Sequence, residues 1–147
     1  MEVNRSPVFD WSLVQLFWLF LSRVFEEAEE GFERGNLGLK QIVLLAILEK
    51  PQTPLDLRRM LGGPASTMSN MLNDLEKKGL VARSIHSTDR RSYTISRTSE
   101  GDRVLQEAIK SVEGVLTQFN ASLKPEQLSA LSQTKSTLLG LLSLGDS

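Results

Sequence analysis

The residues best equipped for chemistry lie in one short stretch of the chain. Ser66, Asn70, Asn73 and Lys77 recur at helical spacing and share one face of a helix, with Thr67, Ser69 and Asp74 beside them. Met68, Met71, Leu72 and Leu75 fall on the opposite face, with the i, i+3, i+4, i+7 period of a stripe turned to a core. Hydroxyls, amides and an ammonium are groups that read or grip nucleic acid: amides pair bidentately with adenine, hydroxyls meet phosphates or bases, and lysine neutralises phosphate. An ordinary solvated helix face uses the same residue types, so this face alone does not decide. A second cluster, Asp89, Arg90 and Arg91, weighs toward nucleic acid. Arginines at a hairpin tip have the charge and reach to touch the backbone or enter the adjacent minor groove. Asp89 suits the task of holding a neighbouring guanidinium in place through charge-assisted hydrogen bonds.

Other chemistries have little to work with. The chain has no cysteine, which removes disulfides, thiolate metal sites and cysteine nucleophiles, and which fits a reducing compartment; a cytoplasmic location is the expectation. With His86 the single histidine, a zinc site would need carboxylates plus one imidazole, and a Ser-His-Asp arrangement would have one available base. No metal or cofactor is expected. No phosphate-cradling glycine pattern occurs, and an enzyme is not expected. A pH-sensing His86 is the less common use of a lone exposed histidine.

Charge is distributed unevenly. Over Leu55 to Arg97 eight lysines and arginines face four acidic residues, a local balance of +4, although the 147-residue chain carries −1; the rest therefore carries −5, much of it in Glu26, Glu27, Glu29, Glu30 and Glu33. A basic middle with acidic flanks is the footprint of a nucleic-acid-binding head on a self-associating body.

The elements that must position these groups follow from periodicity and caps. A long helix is expected over 10–34, capped by Asp10. It is apolar around nearly its whole circumference between Leu16 and Leu21, and such a helix needs burial on more than one side. Phe17, Trp18, Phe20 and Leu21 are therefore candidates for a homodimer interface, with packing in the chain's own core the alternative; Trp11 with Phe17, Trp18 and Phe20 would also suit the wall of an effector pocket. The charge-free run from Trp11 to Ser22 is too short for the roughly 20 residues of a membrane span, and no membrane partner is expected. Nor does it read as an export signal, since only Arg5 precedes it and no small-residue cleavage site follows.

After Gly31, Gly35 and Gly38, a second helix is expected over Leu39–Glu49, then a short third from Thr53-Pro54 to Leu61, a glycine turn, and a fourth from Pro64 to Lys78, stopped by Gly79. Two alternating runs, Val81 to Ile85 and Tyr93 to Arg97, make a hairpin. A fifth helix begins at Ser99 and a sixth at Pro125, the latter offering Leu138 and Leu142 as further interface candidates.

Four pieces of this sequence resemble the MarR family of bacterial and archaeal regulators. Leu37-Gly38-Leu39-Lys40-Gln41-Ile42-Val43-Leu44-Leu45 resembles the entry to its second helix, Ser66 to Val81 its recognition helix and exit, Asp89-Arg90-Arg91 its wing motif, and Thr98-Ser99-Glu100-Gly101 the start of its fifth helix. The resemblance implies a mainly α fold with a small β-hairpin wing: one MarR-like unit over 1–147, with a winged helix-turn-helix region at 37–98 flanked by dimerisation helices at 10–34 and 99–142. It implies a homodimer on palindromic double-stranded DNA, repressing until a small-molecule effector binds between the dimerisation helices and the heads. Recognition-helix contacts would come from Ser66, Thr67, Ser69, Asn70, Asn73 and Lys77. The chain departs from the family pattern at Gly38, where a capping threonine is common, at Arg58 for a small alanine, at Asn70 for arginine, and at Arg97 for leucine. The competing reading keeps the fold but uses it as a protein-interaction module, which would lack salt-dependent binding to duplex DNA.

Overall fold

The computed structural model describes residues 9–28, 32, 36–85 and 93–143. Among them run helices α1 (Trp11–Glu27), α2 (Leu39–Ile47), α3 (Pro54–Leu61) and α4 (Ala65–Lys77), strands β1 (Val81–Ile85) and β2 (Tyr93–Arg97), and helices α5 (Ser99–Ser122) and α6 (Pro125–Ser143). The molecule divides into two compact units, Met1–Val112 and Glu113–Ser147. His86, Asp89, Arg90, Arg91, Gly31 and Gly35 lie outside the described residues.

Local chemistry explains most boundaries. Asp10 caps α1, its carboxylate accepting from the Leu13 amide at 3.2 Å and from the Ser12 hydroxyl at 2.6 Å. The helix then ends at Glu27, short of the expected Arg34, with Ala28 as its C-cap. Helix α2 likewise stops at Ile47, before the expected Glu49, because Pro51 disfavours helical backbone just ahead of it; the Leu48 amide turns back to Leu45 O at 3.3 Å. At the start of α3, Thr53 Oγ1 accepts from the Asp56 amide at 3.2 Å while Pro54 takes the first turn. Gly62 (φ 70°) and Gly63 (φ 90°) make the turn into α4, and Gly79 (φ 71°) ends it.

Leu44, Leu45, Leu57, Leu72, Leu75 and Ile95 are completely enclosed, so the core of the first unit sits where α2, α3, α4 and the hairpin meet, with Val104, Leu105 and Ala108 of α5 also buried. The strands pair antiparallel with Val81 opposite Arg97 and Arg83 opposite Ile95. Ile95 turns its own amide and carbonyl outward to Gln52, at 2.7 and 2.9 Å, so the residue after Pro51 forms a one-residue third strand that the alternating pattern does not reveal.

Two joints hold the unit together. Gln41 accepts from the Gly38 amide through Oε1 (3.0 Å) and donates through Nε2 to Asp74 (2.6 Å); Asp74 also accepts from Lys78 (2.7 Å), whose ammonium reaches the Asn36 carbonyl (2.8 Å). Gln41 thereby satisfies the amide of the N-cap residue Gly38, the half of a capping box that needs no side chain at Gly38. At the second joint, the Thr98 amide bonds to the Leu80 carbonyl at 3.1 Å, and Thr98 Oγ1 donates to Gly79 O at 2.6 Å and accepts from the Gly101 amide at 3.0 Å. The backbones come so close that a Cβ on Gly101 would lie 2.1 Å from Leu80 O.

Gly101→Ala is therefore expected to destabilise the protein by about 1–3 kcal/mol, the usual cost of forced overpacking. Gly114→Ala, a helical position whose added Cβ meets nothing, should stabilise by about 0.5–1 kcal/mol. Denaturant melts of the two variants check both signs. The hydrogen bonds from Lys78 and then Gln41 hold the Asp74 carboxyl below the usual carboxylate range. A depressed folded pKa contributes stability that is fully present above the unfolded value, about 3.9, and is lost as pH falls through the folded value. The stability gap between the parent and Asp74→Asn should accordingly be flat from neutral pH down to about 5 and close in stronger acid.

Candidate nucleic-acid interface

Helix α4 is the centre of the candidate site. Met68, Leu72 and Leu75 are buried and Met71 is half-buried, which fixes the rotation of the helix. That rotation leaves Ser66, Thr67, Ser69, Asn70, Asn73 and Lys77 all exposed. The structure therefore brings the six recognition-helix candidates onto one solvent-facing surface. Helix α3 precedes it across the Gly62-Gly63 turn, completing a helix-turn-helix.

Asp74, which the helical period sets beside this face, is committed to Gln41 and Lys78 and acts as a tie between α2 and α4. Lys78 is tied in the same way, while Lys77 stays exposed. Arg58, where a small residue is common, is exposed and lines an open groove between α3 and α4 with Leu55, Met68 and Ser69, while its neighbour Leu57 fills the core.

Two arginines of the hairpin matter more than their sequence positions suggest. In a strand, alternate residues share a face, and directly paired residues do too, so Val81, Arg83, Ile85, Tyr93, Ile95 and Arg97 lie on one face of the hairpin. That face carries the fully buried Ile95, and both of its arginines are paired. Arg97 donates through Nη1 to the Leu45 carbonyl at 2.6 Å and pairs through Nε with Asp102, joining the ends of α2 and β2 to the first turn of α5. Arg83 pairs through Nε with Glu76 of α4 at 2.8 Å, donates through Nη2 to Asn73 Oδ1, and sets its guanidinium 4.9 Å from the centre of the Tyr93 ring. Sequence reasoning misses Arg83 and the clamp made by Arg97. The available signal is a charged residue at an inward position of an alternating strand.

The face of α4 presents neutral hydrogen-bonding groups and the exposed ammonium of Lys77 on a rigid scaffold. It can form directional hydrogen bonds to a polar surface. Among the described residues there is no cluster of side chains suited to a metal ion, and no helix is long and apolar enough to cross a membrane.

Comparison with known proteins agrees with this geometry. Residues 42–92 match the model of the MarR family. The chain is 25% identical over 108 residues to the HTH-type transcriptional repressor MdtR of Bacillus subtilis (strain 168), a match spanning 72% of this chain and 70% of that protein. Among solved structures, a MarR family protein from Bacillus stearothermophilus superposes with a TM-score of 0.71 at 21% identity, over 90% of this chain and 94% of that one. MepR of S. aureus, in a crystal structure of its complex with DNA, superposes with a TM-score of 0.69 at 24% identity, over 92% of this chain and 98% of that one. The mainly helical architecture with an antiparallel two-stranded hairpin is shared with these winged-helix structures. The match to the MarR family model falls on the helix-turn-helix segment, and the fold of the chain is similar over nine-tenths of its length to that of solved MarR family structures.

Proposed function

We propose that the protein is a sequence-specific DNA-binding repressor that acts as a homodimer on a palindromic operator. The observation that carries this is the outer face of α4, where Ser66, Thr67, Ser69, Asn70, Asn73 and Lys77 are all exposed on a helix whose rotation the core fixes. Such a helix fits the major groove, and amide and hydroxyl groups are suited to its base edges. MepR, described bound to DNA, and MdtR, described as a repressor, support the reading. Asp89, Arg90 and Arg91, in the sequence between β1 and β2, would supply contacts to phosphate or the minor groove. A small-molecule effector would relieve repression, as the family resemblance implies.

The dimer reading rests on apolar surface. On α1, Trp18 is 65% exposed, Phe20 48% and Leu21 42%, while Phe17 is at 37%, so the chain's own packing covers them only in part. In the second unit, Leu131, Leu139, Leu141 and Leu142 are exposed on α6, with Leu142 at 73%, and Leu138 is half-buried. Apolar surface on this scale marks an association site. A second copy of the chain would cover it, in an interface of about 2,000 Å² or more, as obligate dimers have.

Selection of duplexes from a random pool tests the proposal directly. A palindrome with half-site centres about 10 base pairs apart, or a multiple of that, is the expected product, since a two-fold dimer presents its recognition helices one turn of DNA apart. Binding without salt dependence, or no enriched duplex, would turn the reading toward a protein-interaction module. Two substitutions separate roles within the site. Asn70→Ala should cost about 1–3 kcal/mol at one base position with the salt slope intact, whereas Arg91→Ala should weaken every duplex and lower the slope by about one for each phosphate left without its arginine. Sedimentation should find a dimer at micromolar concentration, and Trp18→Glu should shift it toward monomer.

A further inference from the structure

We infer that Arg83 determines which base Asn73 can read, turning this amide from an adenine reader into a guanine reader. The inference rests on the DNA-binding reading of α4 and deepens it. A carboxamide recognises adenine with two different atoms: its oxygen accepts from the adenine N6 amino group while its nitrogen donates to N7. On Asn73 the oxygen is already engaged. Arginine can only donate, so the atom of Asn73 that meets Arg83 Nη2 must be Oδ1, and the amide orientation is fixed without ambiguity. What Asn73 turns toward solvent is its NH2 group, a pair of donors.

Three further features hold the arginine in that position. Its Nε is paired with Glu76 Oε2 at 2.8 Å, its plane lies against Tyr93 at 4.9 Å from the ring centre, and its strand position faces α4 because it shares a face with Val81 and the buried Ile95. The guanidinium is planar and makes its bonds in fixed directions, so the Asn73 amide is held in one rotation. An outward NH2 matches guanine, whose major-groove edge offers two adjacent acceptors, N7 and O6. It mismatches adenine, which sets its own amino donor beside a single acceptor. Arg83 is in this sense a positioning residue: it acts on the base through Asn73.

The test is duplex selection with the full-length parent and three variants, each followed by salt titration on its own best duplex and by a melt. The parent should yield a symmetric pair of positions occupied by guanine, and Asn73→Ala should lose the preference at that pair and nowhere else. Arg83→Met frees the amide oxygen, so the pair should shift toward adenine by about tenfold in relative affinity, the size of one good bidentate contact. Its salt slope should stay unchanged. Asn73→Asp keeps an oxygen for Arg83 but removes the donors, and should abolish the guanine preference even if Arg83→Met folds poorly. Guanine retained in Arg83→Met or in Asn73→Asp would overturn the inference, since the arginine would then be reading the base itself or playing no part. A uniform loss of affinity with a smaller salt slope in Arg83→Met would also overturn it, by making Arg83 a phosphate contact. If the parent enriches no duplex, the DNA-binding reading fails and this inference with it; a parent that binds and variants that keep its preference sink the inference alone.

Discussion

The close approach of the Leu80 carbonyl to Gly101 is the constraint on which the placement of the exposed face of α4 depends. One oxygen ends the turn after α4, accepts from the Thr98 amide, and stands where any side chain on Gly101 would have to be. Thr98 completes the joint by donating to Gly79 and capping the first turn of α5. Helix α4, both strands and the start of α5 are thus fixed relative to one another within a few residues. The exposed face of α4 can present a defined pattern of donors and acceptors only because its C-terminal end is held in this way.

Polar ties at half-exposed positions, set around an apolar centre, do the rest of the positioning. Gln41, Asp74 and Lys78 link α2 to α4, Arg97 links α2 to β2 and α5, and Arg83 links β1 to α4. Each tie is worth little as an isolated surface ion pair, on the order of 0–1 kcal/mol. Their effect is directional. They fix rotations and side-chain orientations that burial of leucines, being non-directional, leaves loose.

Much of this is legible in the sequence because it is written in local signals. Thr53-Pro54, Gly62-Gly63 and Gly79 mark helix ends by caps and positive φ, and the stripe of Met68, Leu72 and Leu75 fixes which face of α4 turns outward. The strand limits at Val81, Ile85, Tyr93 and Arg97 follow from alternation. What escapes is long-range. The hydrogen bond of Gln41 to Asp74 spans 33 positions and that of Arg97 to Leu45 spans 52, and no periodicity encodes such a pairing. Gln52 escapes for another reason: one residue is too short to carry an alternating pattern, although it closes a strand bridge.

That single bridge has a bearing on solubility. A two-stranded hairpin ordinarily leaves the outer rims of both strands as rows of unsatisfied amides and carbonyls, open to pairing with another molecule's strand. Here the rim of β2 is taken at Ile95 by Gln52, and Pro51, which has no amide hydrogen to give, stands directly beside it. The connection between α2 and α3 therefore acts as a stopper: it satisfies the strand at its most buried residue and cannot be lengthened into a further ladder, so the wing is guarded on that side against stacking into intermolecular sheets.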